Sequence, residues 1–395
     1  MLKKATLPRL LALYFFICIT VNLVHPVTPS LFQELGFPDY MFGAAYAAMA
    51  LLNFAFCPLW GVLCDRVGYV KCFSVSIAGY GIGQIIFLFS GTVPMTLFAR
   101  AVTGSFSGGF AIASMSYTAQ LANTDTSRRG KYVAYYTAIQ SVGTAMGFFL
   151  GGMVGVNDPR DTFWLQIAMS FAMAVLILVS LKEIAPVRAE KSRLTLREVN
   201  PVSAFVDVRR VLTPALAVFL LAAALTGFGG VCFDNSFNYY IRDQLHFPTS
   251  YNGIIKAVVG LLGLLVNFTL NMLIASRANG RRAIIPVLVG AGATLIAVPF
   301  ITNIPLFIAV SILFFIFNVM YLPIQQSLVA HGDASGVLYG AYNATRSLGM
   351  VVGSLFAGFA YGTSPQLPFF GAGAVFFLAA VLFAVNVRQY KKLGE

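Results

Sequence analysis

A chain of 395 residues in which 58% are hydrophobic and only 10% charged carries more apolar surface than one soluble core of that length can bury. That balance excludes a water-soluble enzyme. The formal charge of +12 is accounted for by basic loops that can face anionic lipid, so it does not call for a nucleic-acid partner.

In chain order, apolar runs predict twelve membrane-spanning helices, at about 10–32, 41–63, 72–91, 94–121, 132–156, 162–181, 214–240, 251–275, 283–301, 304–328, 336–361 and 367–387. Continuous apolar runs such as Pro214 to Gly230 lack the strict alternation of a β-barrel strand, so the expected fold class is an all-α membrane protein. The first run follows Met-Leu-Lys-Lys and is too long for a cleaved signal core, so it is expected as a retained helix. A polar, basic stretch at 182–213 divides the chain into an N-terminal bundle at 1–181 and a C-terminal bundle at 214–395, each of six helices. If the N-terminus is inside, 21 of the 26 Lys and Arg residues fall on the cytoplasmic side, which places both termini in the cytoplasm of a multi-pass cell-membrane protein. The five cysteines show no ligand spacing and read as reduced packing residues.

Shifting the fifth helix by 206 residues lays Gly130, Tyr136, Ala138, Ser141, Gly143, Gly147 and Gly152 on Gly336, Tyr342, Ala344, Ser347, Gly349, Gly353 and Gly358. This internal repeat points to duplication, and paired halves are common among secondary transporters.

The turn after the second helix reads Gly61-Val-Leu-Cys-Asp65-Arg66-Val-Gly68-Tyr-Val-Lys71. It resembles the loop signature of the major facilitator superfamily, Gly-x-x-x-Asp-Arg-x-Gly followed by basic residues. In the physical reading, Gly61 allows close helix approach, Gly68 permits the turn, and Asp65 can face a positive helix N-terminus. The resemblance implies that this helix is the eleventh, near Gly336, and that Gly61, Asp65, Arg66, Gly68 and Lys71 latch one conformation. The corresponding loop of the second half, Arg277-Ala-Asn-Gly280-Arg-Arg, lacks the aspartate. Arg100 with Gly104 resembles an element of the family's proton-coupled antiporters, in which the arginine is implicated in proton relay. Gly143, Gly147, Gly151 and Gly152 resemble an element of its drug-efflux branch, with Phe148 in place of a proline, and Pro26 and Pro29 resemble that branch's first-helix ending. The physical reading of Gly104, Gly143, Gly147, Gly151, Gly152, Gly349 and Gly353 is close helix packing. What the resemblance implies is a twelve-helix secondary transporter of two pseudo-symmetric bundles, working by rigid-body rocking.

Charges inside a bilayer are costly and tend to face a cavity or a partner. Arg100, Asp234, Lys256 and Arg346 are expected within spans. Asp234 is the candidate proton carrier, or else the structural partner of Lys256; Glu34 is a second carrier candidate, or else a solvated loop carboxylate. By position along straight helices, Arg346 is expected roughly 15 Å in depth from Asp234. Asn22, His25, Asn53, Gln140, Asn235, Asn238, Lys256 and Arg346 are candidate substrate-binding residues, and three cations against one carboxylate favour an anionic substrate unless local carbonyls neutralise the arginines. His25 alone makes no metal site, and its plainer reading is an interior hydrogen-bonded histidine. Tyr46, Tyr239, Tyr240 and Tyr321 are expected as aromatics of the membrane interface. Gly79-x-Gly81-x-Gly83 lacks the strand and lysine of a nucleotide loop, and no phosphate-loop motif occurs. The expected partners are a small-molecule substrate, protons and membrane lipid, with no cofactor, no metal and no nucleic acid, in a monomer. Efflux of the multidrug antiporter type is the first expectation, and uptake or exchange of an organic anion or metabolite the second. An intramembrane enzyme is not expected, because no nucleophile, acid–base pair or metal set clusters at one depth.

Overall fold

The computed structural model describes residues 2–123, 129–183, 200–202, 212–271, 274, 280–329 and 335–392. Most of the central basic stretch, Arg128 and the loop around Arg277 lie outside the described residues. Those described form thirteen α-helices and no strand: α1 (Leu2–Asn22), α2 (Thr28–Glu34), α3 (Met41–Val67), α4 (Tyr69–Leu88), α5 (Val93–Asn123), α6 (Arg129–Val154), α7 (Pro159–Ser180), α8 (Pro214–Asp243), α9 (Thr249–Val266), α10 (Gly280–Ala297), α11 (Ile304–Val329), α12 (Ser335–Thr363) and α13 (Leu367–Lys392).

The stretch expected as one first span is two helices, α1 and α2, parted by a turn over 23–27 that contains Pro26. Proline supplies no N–H and its ring clashes with the preceding helical turn, so the helix stops before it and restarts with Pro29 in its first turn. Each of the other eleven expected segments overlaps one helix from α3 to α13. Nine helical stretches among the described residues are long and apolar enough to cross a membrane. The similarly long α5 and α12 are not among the nine; their apolar residues are interspersed with Gly, Ser and Thr and with one arginine each, Arg100 and Arg346.

The described residues gather into two compact units. One comprises 1–37, 48–201 and 242–260; the other comprises 38–47, 202–241 and 261–395. In the first unit α4 packs on α5 and α7, and α1 packs on α6 and α7. In the second, α10 packs on α13 and α11. Helices approach through small residues, since the lipid offers no hydrophobic drive between them and close backbone contact supplies the attraction. On α6, Gly143 lies against Cys18 and Phe15, Gly147 against Ile19 and Asn22, and Gly151 against the Leu23 carbonyl, so three successive turns lie along α1. Gly152 faces Thr249 and Gly253 at the start of α9, and Gly104 of α5 lies against Met49. In the second unit Gly349 and Gly353 of α12 lie against Ala224 and Phe228 of α8. Gly61 differs from its expected role: no described residue of its own unit comes within 4 Å of where its Cβ would stand.

Candidate functional site

The turn between α3 and α4 is held from a direction the sequence did not signal. Gly68 has φ +115°, a conformation that L side chains rarely adopt, and a Cβ there would stand 2.5 Å from the Glu183 carboxyl carbon. Glu183, just beyond α7, accepts from the backbone N–H groups of Val70 (3.1 and 3.2 Å) and Lys71 (3.4 Å). A carboxylate therefore sits on the positive N-terminal end of α4. Asp65 accepts from the Tyr69 hydroxyl at 3.3 Å, and Tyr69 in turn accepts from Gln120 of α5 at 3.4 Å. The side chain of Lys71 is exposed.

Within the first unit, the candidate residues Asn22, His25 and Lys256 meet around α6. Asn22 donates to the Cys18 carbonyl at 2.8 Å and to Thr144 Oγ1 at 3.4 Å. The His25 ring stacks on Phe148 at 5.6 Å between centroids, and Lys256 Nζ lies 5.5 Å from the centre of the same ring. Phe148, which the sequence reading treats only as a lost proline, is the aromatic floor shared by two candidate ligands. The attraction between a cation and a ring face also gives Lys256, 7% exposed, a favourable contact inside the bundle. Asn53 is elsewhere: it donates to Ser107 at 2.6 Å and accepts from the Cys57 thiol at 3.1 Å, which ties α3 to α5. Gln140 is exposed on α6. Glu34 forms an exposed ion pair with Arg160 at 3.0 Å, so it is a paired surface carboxylate. Arg100 is buried at the opposite end of α5 from Gln120, donating to Thr28 Oγ1 at 3.3 Å with its guanidinium 4.1 Å from the Phe87 ring centre.

Within the second unit, Asp234 and Arg346 share a neighbour. Tyr46, near the start of α3, lies in the electrostatic field of both. Arg346 lies nearer to Asp234 in depth than straight helices imply. A Cβ on Gly227 would stand 2.5 Å from the Arg346 carbonyl oxygen, so Asp234 is seven residues along α8 from the level of Arg346, about 10 Å and not 15. Arg346 directs Nη1 to the Met350 sulfur at 3.5 Å, and its buried Nε has no hydrogen-bond partner. Next to Asp234, Asn235 donates to Ser354 at 2.8 Å, and Ser354 donates to the Gly43 carbonyl at 2.8 Å. Asn238, one turn on, has a buried Oδ1 with no partner, as does Asn318 of α11.

Two tyrosines are misassigned by the interface expectation. Tyr321 is 0% exposed, lies in the field of Arg346, and its hydroxyl donates to the Thr226 carbonyl at 3.4 Å. Tyr239, also buried, donates to Asp39 at 2.7 Å. Gln325 Nε2 donates to Thr226 at 3.0 Å and Gln325 Oε1 accepts from Tyr342 at 3.2 Å, which completes a buried polar network beside Tyr321. The usable signal is spacing: Asn318, Tyr321 and Gln325 recur at i, i+3 and i+7 on a largely apolar helix, which makes one polar stripe.

Polar and charged side chains gathered inside bundles of long apolar helices are what a membrane transport protein requires. The chain belongs to the Major Facilitator Superfamily, whose profile matches residues 10–354. Multidrug resistance protein 1 of Bacillus subtilis is 26% identical over 270 residues, covering 67% of each chain. The class C tetracycline resistance protein of Escherichia coli is 24% identical over 381 residues, covering 94% of this chain and 93% of the relative. Among solved structures, the human organic anion transporter MFSD10 superimposes with a TM-score of 0.70 at 16% identity, over 96% of this chain and 99% of that one, a likeness of fold.

Proposed function

We propose that this chain exports a small molecule in exchange for protons, as a multidrug-type antiporter working by alternating access. The observation that carries the reading is the Asp234–Tyr46–Arg346 group: a carboxylate and a guanidinium inside one bundle, both acting on one tyrosine. In this reading Asp234 carries the proton, Arg346 meets the substrate, and Tyr46 is the group through which the two communicate. That is the coupling an antiporter requires. Similarity to proteins named for multidrug and tetracycline resistance supports the outward direction. In this reading Arg100 assists coupling, Asn22, His25 and Lys256 contact substrate through the Phe148 platform, and Asp65, Arg66 and Lys71 form the conformational latch. The halves 1–181 and 214–395 are the moving parts, both termini are cytoplasmic, and the monomer is the working unit.

A second reading, exchange of an organic anion, draws on the unpartnered Nε atoms of Arg100 and Arg346. The deciding experiment places purified protein in proteoliposomes with a pH-sensitive dye under an imposed gradient, then adds ethidium, tetraphenylphosphonium or a panel of organic carboxylates. Proton movement triggered by the lipophilic cations supports drug-type antiport. Movement triggered only by carboxylates replaces it with the anion reading, and silence with both sinks proton coupling to either class.

A further inference from the structure

Two of the five cysteines face each other across the turn between α3 and α4. The Gly68 N–H donates to the Cys64 carbonyl at 3.2 Å, and the Cys72 N–H donates to the Gly68 carbonyl at 3.2 Å, so each cysteine lies one hydrogen-bonded turn from Gly68. Gly68, at φ +115°, turns the chain between the two helices. The Cys64 thiol donates to the Cys72 sulfur. Both are reduced and buried, in one apolar cluster with Tyr69, Tyr117 and Leu181. The sequence reading of cysteines as separate packing residues misses this pair, because the spacing acquires meaning only once the turn brings the two together.

The other three cysteines bond to oxygen. Cys18 accepts from the Tyr14 hydroxyl, Cys57 donates to Asn53 Oδ1 at 3.1 Å, and Cys232 donates to the Pro368 carbonyl at 3.4 Å. Two sulfurs already in hydrogen-bond contact need only lose their hydrogens and close to about 2.05 Å to become a disulfide. That closure uses volume the thiols already occupy and calls for no cavity. Burial excludes bulky reagents, but hydrogen peroxide is little larger than water, and helix ends beside a turn are the parts of a bundle that open most readily.

We infer that Cys64 and Cys72 are a redox modification site, a dithiol that a hydroperoxide converts into an intrachain disulfide stapling the end of α3 to the start of α4. One sulfur, as thiolate, attacks a peroxide oxygen. The O–O bond breaks, leaving a sulfenic acid and a hydroxide that the first thiol proton turns into water. The second sulfur then displaces the sulfenic oxygen, which leaves as water with its own hydrogen and the second thiol proton as the S–S bond forms. The two thiols lose two electrons and the peroxide gains them. Glu183 stands beside both sulfurs and Asp65 beside Cys64, and repulsion between like charges slows thiolate attack in either direction. Oxidation is therefore gradual, and the bond persists once made. The staple brackets Asp65, Arg66 and Lys71, which places that turn under redox control. The inference does not depend on the transport reading, because the state of the thiols is measured without substrate or gradient.

The test treats the purified full-length protein in detergent with excess hydrogen peroxide, removes the excess with catalase, unfolds the protein in SDS and labels it with a maleimide polymer that shifts gel mobility once per thiol. Untreated protein takes five labels; oxidised protein takes three, since two thiols are consumed, and dithiothreitol added after unfolding restores all five. Digestion of the oxidised protein yields the peptides of Cys64 and Cys72 joined and lighter by two hydrogens. Cys64→Ser and Cys72→Ser each keep their four labels through the treatment, whereas Cys57→Ser falls from four to two. Five labels after peroxide overturn the proposal. A loss that dithiothreitol does not restore overturns it too, since that is over-oxidation without a bond. So does a loss that persists in both Cys64→Ser and Cys72→Ser, which places the oxidised thiols elsewhere. If a serine variant does not fold, the mass of the joined peptides in the wild type decides.

Discussion

The contact between α1 and α6 and the contact between α8 and α12 follow one plan. Gly143 lies against Cys18 and Gly349 against Ala224; Gly147 lies against Asn22 and Gly353 against Phe228. Adding 206 to the glycine and to its partner converts the first contact into the second in both cases. The chemistry carried on that shared backbone has diverged. Asn22, a hydrogen-bond donor to Thr144, corresponds to Phe228, and Thr144 itself corresponds to Met350. Exposed Gln140 corresponds to Arg346, and Phe148, the platform under His25 and Lys256, corresponds to Ser354, which binds Asn235. Pro26 corresponds to Cys232, so α1 breaks where α8 runs on uninterrupted. Backbone packing tolerates almost no change because a glycine row leaves no room for a Cβ, whereas the side chains on the other faces are free to specialise.

The largest effect is expected from breaking the shared part. Gly349→Val and Gly143→Val each drive a branched side chain into the opposing helix, and overpacking of this kind costs about 1–3 kcal/mol or more. Both variants should lose monodisperse protein in detergent and melt well below wild type. Equal tolerance of valine at both positions would show that the repeat is one of sequence alone.

Exchanging the diverged chemistry sharpens the comparison. Arg346→Gln restores the residue found at the equivalent position of the first half, and it should reduce substrate-driven proton movement at least about tenfold, or ~1.4 kcal/mol, with little change in melting. Asp234→Asn should abolish proton movement while substrate still binds, as measured by quenching of a fluorescent ligand. If Asp234→Asn transports protons normally, the second-half group is structural.

Of the fold, nearly every helix was legible, because spans of about 20 apolar residues and basic loops are written locally. The break after α1 was not drawn from Pro26, because prolines inside membrane helices are often tolerated; Pro58, Pro286 and Pro323 lie within continuous helices here. Of the site, Asp234, Arg100 and Arg346 were legible as charges in apolar surroundings. Tyr321 and Glu183 were not: the burial of one and the backbone partners of the other depend on helices distant in sequence.

Smaller effects test the first unit's own additions. Glu183→Gln removes charge from the α4 N-terminus and should cost about 0.3–1 kcal/mol, read as a modest fall in melting temperature. Glu34→Gln breaks an exposed pair with Arg160, 41% exposed on each side, and should cost less than about 1 kcal/mol, with the remainder screened by salt.

The sequence by itself determined that this is a helical membrane protein, roughly where most of its helices lie and that a glycine row repeats, since hydropathy and small-residue rows need no knowledge of distant neighbours. Tertiary structure alone decided that Tyr46 stands by both Asp234 and Arg346, that Phe148 carries His25 and Lys256, and that Arg100 is enclosed by neutral groups. Each of these depends on the rotation and depth of one helix against another. Packing sets both quantities, and a linear pattern of apolar residues leaves them open.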